Sequence, residues 1–165
     1  MLKELGVRLV AQITGMSEKD FKLQIHESLE HPVIDFDKSV IKVPFPSKML
    51  PLEMNTDIVA SLRLFKASVS HSAVHLLLRN KRQKLQEEVG QRYGNLGLTV
   101  ATILDDAWTD QYIAREFQDL SGDIAYANAV ALLRLNPLTD FRKKEDRLVS
   151  ALIGLSIGDM IKGKI

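Results

Sequence analysis

The sequence predicts a mainly α fold, a multi-helix bundle with one small β-hairpin near residues 33–43. Three observations carry this. Leu2, Leu5, Leu9 and Ile13 recur at helical spacing at the start of the chain. The stretch from Ile58 to Leu78 is apolar nearly all round, as a central helix must be. Only VIDFDKSVIKV, residues 33–43, places two β-branched runs around a short polar turn, Asp37-Lys38-Ser39. With 165 residues, 45% hydrophobic and 26% charged, the chain is expected to be a single helical domain over 1–165, or the N-terminal part of a longer protein.

The elements follow in order. The first helix spans 2–14 and stops at Gly15. Ser17-Glu-Lys-Asp20 resembles an N-cap with acids in the first turn, which predicts a second helix through Leu29, ending before His31-Pro32. After the hairpin comes a Pro-rich connection with Pro44, Pro46 and Pro51. Asn55 or Thr56 is expected to cap the apolar helix. One stripe of that helix is Ile58, Leu62, Phe65, Val69, Ala73 and Leu76; another is Ala60, Leu64, Ala67, His71 and Leu78. A charged helix over about 80–91, a loop Tyr93-Gly-Asn-Leu-Gly97 and a helix over about 98–120 come next. Ser121-Gly122 closes the latter. Asp123 is expected to cap an Ala-rich helix ending at Asn136-Pro137, and Thr139 or Asp140 to start a last one to about Ile153. The Gly-containing tail after Gly154 is expected to fray or to lead onward.

Two features bear on chemistry. His71 and His75 lie four residues apart, on one face of a helix, the spacing that holds a metal in many hydrolases. Asp106 and Asp110 repeat that spacing and fall with Ile103, Ala107, Ile113 and Phe117 on the apolar side, whereas Asp105, Thr109, Tyr112 and Glu116 fall opposite. A carboxylate on an apolar face needs a partner. Three arrangements remain open: a His71/His75/Asp106/Asp110 site for zinc, iron or manganese, a hydrogen-bonded network that fixes helix packing, or helices that do not face each other. Ser72 stands where the His-Glu-x-x-His motif of zinc hydrolases has its general base, which disfavours peptidase chemistry. Trp108 beside Tyr112 is either a second packing face or a partner interface.

Other classes are excluded or disfavoured. There are no cysteines, hence no disulfides, Cys-based metal sites or Cys nucleophile; this usage suits a reducing cytoplasm. Net charge is +1, and the basic clusters Arg79–Lys84 and Arg142–Lys144 read as solvated helix faces, so no nucleic-acid partner is expected. The N-terminus lacks the apolar run of a signal peptide, and charges break the most apolar segment, so no membrane partner is expected.

The segments RLFKASVSHSAVHLLL and LTVATILDDAWTDQYIAREFQDLSG, the Asp105-Asp106-Ala107 core and the lead-in VPFPSKMLP carry a family resemblance. Over about residues 40–122 the chain resembles the N-terminal region of von Willebrand factor A accessory proteins that work with MoxR-type AAA+ ATPases, including nitric-oxide-reductase and rubisco activation proteins. The resemblance implies a non-enzymatic helical module, partnered by a AAA+ ATPase or its client metalloenzyme, with a degenerate zinc-peptidase-like His-x-x-x-His helix. The chain departs from the family in lacking the Asp-x-Ser-x-Ser motif of a von Willebrand A domain. The alternative is a metal-dependent, hydrolase-like enzyme.

Overall fold

The computed structural model describes residues 1–49 and 57–161. Five helices and a small sheet run in the order α1 (Leu2–Thr14), β1 (Lys22–His26), β2 (Val33–Asp35), β3 (Val40–Pro44), α2 (Ile58–Leu77), α3 (Arg79–Glu116), α4 (Ser121–Leu133) and α5 (Lys144–Ile161). The mainly α class therefore holds. None of the described helices is long and apolar enough to cross a membrane.

α1 forms where the leucine spacing places it. It ends at Gly15, whose φ of 68° is left-handed and whose N–H donates to the Ala11 carbonyl. The hairpin of β2 and β3 is also present, with Ile34 opposite Ile41. The helix expected over 17–29 is not. Ser17–Asp20 makes a turn, and β1 follows, pairing in parallel with β3 from Lys22↔Val40 to His26↔Pro44. In FKLQIH the residues Phe21, Leu23 and Ile25 face inward while Lys22 and Gln24 face water, a period of two that overrides the cap-like start. The sheet order is β1-β3-β2.

α2 is the central element. Phe65, Val69, Ala73 and Val74 are fully buried and join Val10, Leu23, Ile41, Val43, Ile113 and Ile124 in one core. Its first turn departs from the expected stripe, because Ile58 is 82% exposed. Asp57 caps the helix by accepting from the Ala60 N–H at 2.9 Å; Asn55 and Thr56 lie outside the described residues. α1 approaches β1 and α2 so closely that a Cβ on Gly6 would collide with Leu23 and lie 3.1 Å from Phe65 Cζ.

α3 follows α2 after Leu78 alone and contains a sharp reversal rather than the expected five-residue loop. Gly94 has φ 63° and ψ −159°, a left-handed conformation that glycine adopts freely. The arms before and after it fold back on each other, and Arg82 of the first reaches Asp105 and Thr109 of the second. The tight turn is packed shut: a Cβ on Gly97 would sit 2.4 Å from Tyr93 Cβ.

The last two helices also shift from expectation. α4 starts at Ser121, and Asp123 does not cap it. Its buried carboxylate instead meets Lys66 Nζ at 2.7 Å and Arg63 Nε at 3.4 Å, holding α4 to α2. α5 starts at Lys144, after a short turn at Leu138–Asp140 and an extended Phe141. It continues past Gly154 and Gly158 to Ile161 because it packs along α3 and α4, and such contacts outweigh the helix cost of glycine, about 1 kcal/mol each. Residues 162–165 lie outside the described region.

Candidate metal centre between two helices

α2 and the second arm of α3 face each other across the histidine pair. One helical turn separates His71 from His75, and their rings lie 4.5 Å apart at an angle of 47°. His75 Nε2 is 2.7 Å from His71 Nε2. Asp106 Oδ1 lies 3.1 Å from the former and 3.4 Å from the latter. Three potential ligand atoms from two helices thus form a small triangle. For a tetrahedral ion with bonds of about 2.0–2.1 Å, the ligand–ligand separation is about 3.3 Å, close to two of the three edges. The triangle fits a first-row divalent ion, with the His–His edge needing to open by roughly half an ångström.

The outer nitrogens complete the picture. His71 Nδ1 donates to Asp110 Oδ1 at 2.7 Å, and Asn128 Nδ2 donates to Asp110 Oδ2 at 2.9 Å and to the Ile124 carbonyl. His75 Nδ1 faces Asp105 Oδ2 at 3.9 Å, and Asp105 Oδ1 is held at 2.9 Å by Arg82 Nη2. Each imidazole therefore turns Nε2 toward the common point and Nδ1 toward a carboxylate, the arrangement that orients metal-bound histidines. Asp110, expected as a fourth ligand, lies on the far side of the His71 ring and acts as its orienter.

Charge and burial act against each other here. Burial alone would lower the His71 pKa, but hydrogen bonds to Asp106 and Asp110, with their charges, raise it to about 9. Burial raises the Asp105 pKa against the pull of Arg82, and burial lowers that of Arg82. His71 at neutral pH is consequently an imidazolium. A proton on its Nε2 occupies the place where an ion would sit.

All four residues expected at the site come together, and the arrangement in which the helices do not meet is excluded. Four further residues take part: Asp105, Thr109, Arg82 and Asn128. The wheel pattern predicts Asp105 and Thr109 on the side away from the apolar face, yet Thr109 is fully buried against Arg82. Arg82 belongs to a basic run expected to be solvated, yet it is 7% exposed. Its position four residues after Leu78, in line with the apolar α2, was the available signal. Asn128 lies inside an Ala-rich helix, where a lone amide among apolar neighbours signals a hydrogen-bonded role. Trp108 stacks on Tyr112 with centroids 5.3 Å apart, and Tyr112 meets Phe117 edge-on. Tyr112 packs toward the core; Trp108 is 46% exposed, one turn from exposed Leu104.

Two cavities flank the centre. One, of about 420 Å³, lies between α2 and α4 and reaches His71, Asp110 and Asn128 along walls of Leu64, Ala67 and Ile124. The other, of about 230 Å³, reaches Asp106 and Asp110 between Ile103, Ala107, Ile153 and Ile157. Ser72, at the position of a hydrolase's general base, is sealed inside the core on another face of α2. Compared with protein-family models, curated proteins and solved structures, the chain matches none.

Proposed function

We propose that the chain is a non-catalytic accessory module that carries a divalent transition metal, zinc, iron or manganese, between α2 and α3. His71, His75 and Asp106 are the ligands; Asp110 orients His71. The observation that carries this reading is the convergence of two Nε2 atoms and one carboxylate oxygen, with a carboxylate behind each ring. A non-catalytic role is supported by the engagement of the neighbouring carboxylates: Asp110 serves His71 and Asn128, and Asp105 serves Arg82. Each carboxylate beside the centre thus already has a partner in Arg82, Asn128 or a histidine ring.

The accessory role, in the cytoplasm beside a AAA+ ATPase or its client metalloenzyme, draws on the resemblance over residues 40–122. Exposed Trp108 and Leu104 offer an apolar contact point for such a partner. Elemental analysis of tag-free protein tests the metal. About one equivalent is expected for the wild type and none for the H71A/H75A double variant; a folded, metal-free wild type overturns the reading. Trp108→Ala is expected to abolish capture of the ATPase from native lysate without unfolding the chain.

The alternative, a metal-dependent hydrolase-like enzyme, is favoured by one observation. The cavity of about 230 Å³ reaches Asp106, whose side chain is 47% exposed, so an ion there has an approachable side. Hydrolysis of ester or peptide substrates by the metal-loaded chain, lost in H71A/H75A, would favour it over the accessory role.

A further inference from the structure

The side of the centre away from Asp110 contains a second chain of contacts, running from His75 through Asp105 to Arg82. Arg82 sits in the first arm of α3, and Asp105 in the arm that returns after Gly94. One nitrogen of the guanidinium makes every bond it has: Nη2 donates to Asp105 Oδ1, to the Asp105 carbonyl and to Thr109 Oγ1. Nε and Nη1 are buried and find no acceptor among the described residues. A buried cation satisfied on one side holds the arms together weakly, because its remaining donors have lost water and gained nothing. At the other end, the 3.9 Å from Asp105 Oδ2 to His75 Nδ1 is too long for a hydrogen bond. An ion on His75 Nε2 makes the Nδ1–H a stronger donor and draws it to the carboxylate.

We propose that Arg82, acting through Asp105 on His75, ties metal binding to closure of the two arms of α3, so that neither tightens without the other. The inference rests on the metal reading above. Arg82 and Asp105 are positioning residues: Asp105 faces the far side of His75, Arg82 holds Asp105, and neither meets the ion. Linkage requires reciprocity: what the ion gains from a closed hairpin, the hairpin gains from the ion.

Titration of the full chain with zinc and cobalt, with hydrogen exchange followed in parallel, tests this. In the wild type, zinc is expected to slow amide exchange over residues 79–93. Asp105→Asn and Arg82→Met are each expected to weaken binding by about 10- to 100-fold and to alter the visible spectrum of the cobalt form; Arg82→Lys recovers part of the affinity. Asp123→Asn, which loosens a different helix pair, is expected to leave affinity and spectrum unchanged. The proposal is overturned if the wild type binds zinc while exchange over 79–93 stays the same. It is equally overturned if D105N and R82M bind as tightly as the wild type. A wild type that binds no zinc or cobalt removes the metal reading itself, and this inference with it.

Discussion

At neutral pH His71 carries protons on both ring nitrogens, one held by Asp110 and one aimed at His75 and Asp106. Its folded pKa of about 9 lies above the ordinary value of 6.5. The contribution of this proton to stability is therefore complete below about pH 6.5 and is lost as pH rises toward 9. The loss is up to ~3 kcal/mol. Urea midpoints of metal-free protein should fall across that window, and His71→Gln should flatten the profile. An ion must displace the same proton, so zinc binding at pH 7 should release close to one proton, seen by calorimetry in buffers of different ionisation enthalpy. The two aspartates differ in cost. Asp110→Ala strands His71 Nδ1 and Asn128 Nδ2 and should cost about 1–3 kcal/mol. Asp106→Ala removes a half-exposed partner of both rings and should cost about 1 kcal/mol, while abolishing metal binding.

At the scale of elements, the reversal at Gly94 decides which residues meet. The sequence marked a break there, but a five-residue loop and a one-residue turn predict different facing pairs. Only the latter puts Arg82 against Asp105. Gly94→Ala should cost about 1–2 kcal/mol in urea unfolding because its left-handed backbone is strained for any residue with a Cβ. Gly158→Ala, where a Cβ would meet none of the described residues, should instead stabilise α5 by about 0.5–1 kcal/mol. Helices with long periodic patterns were readable: α1, α2 and the second arm of α3. β1 was not, because Ser17-Glu-Lys-Asp20 imitates a helix start and the alternation after it spans only six residues. The histidine–aspartate pairing was legible because two i, i+4 pairs on apolar faces demand partners. The roles within it were not, since spacing cannot tell a ligand from the carboxylate behind a ring.

For the whole molecule, α2 receives α1 and the sheet on one flank and α3 and α4 on another. The site thus lies against the core with one side open, and metal occupancy should register in global stability. At free zinc 100 times the dissociation constant, unfolding free energy should rise by about 2.7 kcal/mol. A chelator should remove that gain, and zinc should leave the melting temperature of H71A/H75A unchanged. Trp108→Ala should leave stability within about 0.5 kcal/mol, as exposed positions do.

The single-residue link between α2 and α3 and the turn at Gly94 also set an order of assembly. His71, His75, Asp105, Asp106 and Asp110 fall within one stretch of about forty residues, and the chain closing them is two helical arms, so little loop entropy opposes their meeting. During synthesis the three ligands are translated before α4 and α5. The ion-capturing set is therefore local in sequence, and Asn128, which steadies it, joins from a later helix.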